Sequence, residues 1–204
     1  MRLRVILFTL MITCTANVVL GGVDTSKTEL DTLAYFYNIP EAPDMYSAAN
    51  VSARMVEGLG FRYFWATKDL RPEDLSYDPG NGGQTCEQVL DHLLGLSRFI
   101  LRTIKKEVHD NTREYPDLTW EGKREETLEN FKEASEILRQ TGDVSELEII
   151  FKRGEKTSGF PFWNLINGPI SDAIYHTGQI TSYRRSAGNP INPNISLLRG
   201  RVRN

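Results

Sequence analysis

The chain has 204 residues, 40% of them hydrophobic and 25% charged, with 24 basic against 27 acidic side chains and a formal net charge of −3. That is enough apolar material for one core and too little length for two ordinary domains. The acidic balance argues against a nucleic-acid partner, because neutralising phosphates requires a basic face.

At the N-terminus, Arg2 and Arg4 precede an apolar run from Val5 to Leu20 that is interrupted by Thr9, Thr13, Cys14, Thr15 and Asn17. Basic residues before a short apolar stretch are the pattern of an export signal, here residues 1–22, with Ala16 and Gly21-Gly22 as cleavage sites. The expected location is therefore periplasmic or secreted. Two variants stay open. Val5 to Val23 is nearly long enough for a membrane anchor, and Met11-Ile12-Thr13-Cys14 resembles a lipoprotein box, although Thr13 sits where such boxes carry glycine, alanine or serine. Cleavage removes two arginines and no acid, which takes the net charge to −5, and it leaves Cys86 as the single cysteine. One thiol forms no internal disulfide and no Cys-x-x-Cys suggests structural zinc. At the start of a helix Cys86 would meet the dipole that lowers a thiol pKa, but an ordinary small buried residue is the simpler reading.

Residues 23–44, with Pro40, Pro43 and the aromatic island Tyr35-Phe36-Tyr37, read as an extended arm lying on the domain. From Tyr46 to Ala66 the apolar residues Ala49, Val56, Leu59, Tyr63 and Ala66 follow helical spacing and predict helix one, in which Gly58 and Gly60 are costly unless a neighbour comes close. Leu70 to Gly83 is rich in turn formers and reads as a long ordered loop. Thr85 and Gln88 have the spacing of a capping box that opens helix two, whose stripe is Val89, Leu93, Leu96, Ile100 and Ile104, with His92 inside it. His109 falls at the end of that helix, where an imidazole suits the negative pole. After a polar connection through Pro116, Leu128, Phe131, Ala134 and Leu138 mark helix three, ending at Gly142. Leu147 to Lys152 and the turn-forming 154–159 predict a short hairpin or an extended excursion. A last helix starts at Phe162 or at Pro169 and runs to Ala187, with Gly188 and Pro190 to close it. The tail 191–204 carries Arg199, Arg201 and Arg203 and reads as a solvated, frayed end. Four helices and one small irregular or hairpin insertion make an all-α fold, a four-helix bundle over residues 45–190.

The chemistry-bearing residues sit on two of these helices. Asp172 and His176 are i,i+4 neighbours and Gln179 follows three later, so the three share one face. With His92 of helix two they form a set that can hold one divalent metal between facing helices, with positions left open for a ligand. The bland alternative is that Asp172 pairs with Arg184 or Arg185 and that the histidines pack. Asn50-Val51-Ser52 and Asn194-Ile195-Ser196 fit the N-glycosylation triplet, a pattern common by chance.

Leu70-Arg71-Pro72-Glu73-Asp74-Leu75, Asn81-Gly82-Gly83-Gln84-Thr85, Val89-Leu90-Asp91-His92-Leu93-Leu94 and Asp172-Ala173-Ile174-Tyr175-His176-Thr177-Gly178-Gln179-Ile180 together resemble the DinB-like (DinB/YfiT) metalloenzyme family, in order, spacing and polarity, over about Tyr46 to Pro190. The resemblance implies a bundle with up-down-down-up connections, often a homodimer. It also implies a metal held by one histidine of the second helix and a His-x-x-x-His pair on the last. His92 and His176 match the outer two places. Asp172 stands where the family has its middle histidine, which keeps a plausible ligand for zinc, nickel, iron or manganese but changes its charge. Gln179 would stand behind the metal ligands or pack between helices. Some relatives are transferases or isomerases whose metal activates a small thiol; an exported protein fits that less well, because such thiols belong to the cytoplasm. The expectation is a metal-dependent hydrolase or group transferase acting on a small molecule. The rival expectation is a non-catalytic module that binds a small ligand or partner on the same bundle.

Overall fold

The computed structural model describes residues 35–110 and 112–203. The export signal, the anchor and lipidation alternatives and the first part of the N-terminal arm lie outside these residues. Four long helices carry the fold: α1 Ala48–Thr67, α2 Cys86–Ile104, α3 Trp120–Gln140 and α4 Ser171–Ser186. No helix among the described residues is long and apolar enough to cross a membrane.

Each of the first three helices starts where a side chain satisfies an orphan amide. Ser47 accepts from Asn50 N–H, Thr85 from Gln88 N–H and Thr119 from Gly122 N–H. At Thr85 the expected capping box is complete, since Gln88 Oε1 accepts the Thr85 N–H at 2.9 Å. Helix three begins two residues earlier than its apolar pattern suggests, because Thr119 supplies the cap.

Helix directions follow from ion pairs between neighbours. Lys123–Asp91, Arg98–Glu126 and Lys105–Glu133 advance together along α2 and α3, so these two run parallel. Arg139–Glu57 and the Arg124–Thr67 hydrogen bond run in opposite senses along α1 and α3, so that pair is antiparallel. Arg184 near the end of α4 reaches the carbonyls of Trp65, Ala66 and Lys68 at the end of α1, which aligns α4 with α1. The order is up-down-down-up, with a long crossover from α2 to α3.

The core lies between the four helices and includes Leu59, Tyr63, Leu90, Leu93, Phe131 and Ile180, each fully buried. Phe36, from a helical turn at 35–37, is buried with them. Its ring occupies the place where a Cβ on residue 60 would stand, so Gly60 admits the N-terminal segment, where a neighbouring helix was the sequence expectation. Buried Glu57 is held by Arg139 Nε at 2.5 Å and Arg54 at 3.1 Å, and Arg139 also reaches the Glu41 carbonyl, which ties that segment to α1 and α3.

Of the two expected forms the hairpin is present, as β2 Ile149–Arg153 and β3 Lys156–Phe160 turning at Gly154 with φ +61°, so most of the stretch expected to be turn is the second strand. Its outer face is joined by β1, His109–Asp110, parallel to β2. This corrects the capping role expected for His109, because α2 already ends at Ile104 and the next four residues lead into the strand. The tail is also folded. Ile195–Ser196 pairs with Arg201–Val202, and Gly200, at φ +61°, lies against Ile39, whose N–H bonds its carbonyl at 2.8 Å. A frayed end does not describe it.

The last helix resolves the two predicted starts in one continuous path. A first turn spans Phe162–Leu165, and a π-helical turn, Ile166–Ile170, carries the chain past Pro169 into α4. Proline has no N–H and crowds the carbonyl four residues back, so the helix widens by one residue instead of stopping. The Ile166 carbonyl then accepts both the N–H and the hydroxyl of Ser171, five residues on. Asp172 follows at once.

Candidate metal centre

His92 lies two turns into α2, beside the buried stripe of Val89, Leu93 and Ile100. That stripe packs α2 into the bundle and leaves the imidazole at the seam with α4. Opposite it, Asp172 and His176 project one turn apart from the first turns of α4, while Ala173, Thr177 and Ile180 of the same helix are buried. The seam brings the three side chains together.

His92 Nε2 is 3.0 Å from Asp172 Oδ2, and His176 Nε2 is 3.4 Å from Asp172 Oδ1. The two imidazole rings meet edge to face with centroids 4.6 Å apart. One ligand atom from each residue lies within 4.8 Å of the others, and among the described residues this is the group of histidine and carboxylate side chains that could hold a metal ion. His176 is the anchored member, with 13% of its side chain exposed, whereas His92 and Asp172 are 39% and 42% exposed. The centre is therefore walled by α4 and open on one side to a ligand.

Gln179, one turn after His176, places its Oε1 2.6 Å from His176 Nδ1. An amide oxygen only accepts, so this contact is met by a hydrogen on Nδ1, the tautomer that leaves Nε2 for a metal. A second hydrogen bond of this kind orients metal-bound imidazoles generally. The donor set of two imidazoles and one carboxylate suits a divalent transition metal.

The expected competitor for Asp172 is engaged elsewhere. Arg184 is buried and donates to the Trp65, Ala66 and Lys68 carbonyls and, through Nε, to the Asn189 carbonyl. It caps the C-terminal end of α1, where a cation is favoured by the dipole. Arg71 and Asp74, in the first family-like segment, are likewise structural. Burial alone would raise the Asp74 pKa, but a two-pronged bond from Arg71, the Arg71 N–H and Asn189 hold it down at about 2. The clamp fixes the loop to the end of α4, since Arg71 also donates to the Ala187 carbonyl.

His109 and Cys86 lie apart from the centre. His109 stacks on Phe99 with centroids 3.8 Å apart and bonds Thr103 Oγ1 at 2.9 Å. Cys86 is buried, and burial, with the Asp74 charge, pushes its thiol up to about 12, so the helix dipole does not activate it. One feature of the site had no signal in the spacing, the π turn that sets the angle at which Asp172 and His176 leave the chain. Pro169 marks its place but equally suggests a helix start.

The sequence model of the DinB family matches residues 45–197. The chain has no significant match among curated proteins or solved structures. The match covers the whole bundle, α2 and α4 with their three site residues included, and the chain belongs to the DinB family.

Proposed function

We propose that this protein is an exported metal-dependent enzyme, a hydrolase or group transferase for a small molecule, whose divalent metal is held by His92, Asp172 and His176. The observation that carries the reading is the convergence of one ligand atom from each of His92, Asp172 and His176 within 4.8 Å, with Gln179 Oε1 2.6 Å from His176 Nδ1. A bound divalent metal would supply Lewis acidity and make a neighbouring nucleophile more acidic. The chain's own residues do the rest. Gln179 fixes the tautomer and angle of His176. Asp172 brings one negative charge where a third imidazole would bring none, which makes the donor set harder and leaves the centre less electrophilic. Its carboxylate has an oxygen toward each histidine, so one can bind while the other accepts a proton from an incoming nucleophile. The exposed side of His92 and Asp172 is the approach path. Export rests on Arg2, Arg4 and the apolar run to Leu20.

The direct 3.0 Å contact of His92 with Asp172 supports a second reading, a hydrogen-bonded triad that knits α2 to α4 without chemistry. Metal content separates the two. Protein purified without a chelating tag is expected to carry about one ion per chain, with background levels in His92→Ala and His176→Ala, and Gln179→Leu is expected to bind metal about 10- to 100-fold more weakly. Equal, negligible metal in all four, with a lowered melting temperature in His176→Ala, establishes the triad instead.

A further inference from the structure

Asp172 is the last acid in the sequence, so every charged side chain from residue 173 to the end is an arginine. Of these, Arg184 caps α1 and Arg201 pairs with Glu41. Arg199 and Arg203 are exposed and form no ion pair among the described residues. Both flank the turn of the tail hairpin, residues 197–200, which the Gly200 N–H closes on the Ser196 carbonyl at 2.8 Å. Turns are usually built of glycine, asparagine, aspartate and serine. This one carries Leu197 and Leu198, 48% and 97% exposed.

The leucines are held outward. Ile195 at the base of the hairpin is buried, the Val202 N–H bonds Asn38 Oδ1 at 3.1 Å, and the Arg203 N–H bonds the Asn194 carbonyl at 2.7 Å. Gly200 lies so close to Ile39 that a side chain there would clash, which pins the turn against the domain. Leu197, Leu198, Arg199 and Arg203 line one open concavity of about 580 Å³. An apolar tip and two unpaired guanidinium groups therefore share one small, bonded surface.

We propose that this hairpin is a membrane-contact element: Leu197 and Leu198 enter the acyl boundary of an anionic phospholipid bilayer while Arg199 and Arg203 meet the lipid phosphates. Charge selects the partner, because a chain of net charge −3 presents only cations on this face. A guanidinium matches a phosphate with two parallel donors. The leucines favour a bilayer over an acidic protein, since a fluid interior accepts a protruding side chain without a complementary pocket. Two leucines and two arginines make a reversible attachment, and one that needs no metal at the seam.

Cosedimentation of the full chain with vesicles tests this. Binding is expected to vesicles of mixed phosphatidylglycerol and phosphatidylcholine, to be weak on phosphatidylcholine alone, and to fall as salt is raised. Leu197→Ser with Leu198→Ser, and separately Arg199→Gln with Arg203→Gln, should each weaken binding about tenfold without lowering the melting temperature. An environment-sensitive dye on Leu198→Cys should shift to the blue on anionic vesicles, and the same dye on Glu155→Cys, at the tip of the other hairpin, should not; the unaltered chain, labelled in parallel, gives the blank. This pair reads the tail whatever the apolar run Val5 to Leu20 contributes. The proposal is overturned by equal binding to phosphatidylcholine, by undiminished binding in both double variants, by the absence of a shift at residue 198 or an equal shift at 155. It is also overturned if the unaltered chain sediments as a dimer that Leu197→Ser with Leu198→Ser dissociates, because a second copy then covers the tip.

Discussion

Asp172 meets a different imidazole with each of its oxygens, His92 across the seam and His176 one turn along its own helix. Residues of the same type elsewhere in the chain show how much the surroundings decide. His109 is as close to aromatic rings as His176, yet it has no carboxylate partner. Thr103 Oγ1 donates to the Phe99 carbonyl, so its contact with His109 is met by Nε2–H as donor. Burial, reinforced by the Arg102 charge, lowers its pKa from the ordinary 6.5 to about 4. In the unfolded chain this histidine takes up its proton first, so the folded state loses stability as pH falls from about 6.5 to about 4 and regains none below. Urea midpoints measured across that window should fall with acidification, and His109→Phe, which retains the stack on Phe99, should fall less over the same range. Parallel curves for the two proteins would show that His109 does not titrate in this way.

Helix ends show the same dependence on one residue at a time. Helix α4 closes on Gly188, at φ +79°, with Gly188 N–H on the Arg185 carbonyl and Asn189 N–H on the Arg184 carbonyl. Helix α2 ends in the same double bond pattern, Lys106 N–H to Thr103 and Glu107 N–H to Arg102, but its left-handed residue is Lys106, at φ +59°. A side chain there is strained where glycine is not. Lys106→Gly should therefore stabilise the protein by about 0.5 kcal/mol after the greater freedom of glycine in the unfolded chain is set against the relief. Gly188→Ala should cost about 1 kcal/mol. Thermal melts of both variants check the pair; a loss of stability in Lys106→Gly contradicts it. These local rules explain what was legible in the sequence. Thr85 with Gln88 marks the start of α2 and Gly188 the end of α4 because caps act within a few residues. The π turn at Ile166–Ile170 and the strand at His109 were not legible, since each depends on what distant residues leave for the backbone to satisfy. Gly60 was legible as a close approach, but its occupant, Phe36, comes from a segment whose spacing carries no period.

At the scale of the molecule, the up-down-down-up order sets α2 beside α4 in opposite directions and brings residues 80 positions apart into contact. Periodicity supplied the faces, and the family-like segments supplied which faces meet; neither fixed that Asp172 would turn to the seam and Arg184 to the end of α1. That choice follows from burial, because the α1 carbonyls need a donor and the seam is open to water. The tail and the N-terminal segment are joined through Ile39 and Gly200, and Phe36 of that segment is seated against α1 at Gly60. The account rests on one divalent ion bridging two helices at that seam. Crystals of protein purified without a chelating tag, measured at the absorption edge of the metal they contain, test this directly. The account predicts one anomalous peak between His92 Nε2, His176 Nε2 and the Asp172 carboxylate, and an empty seam with Asp172 bonded straight to both histidines would contradict it.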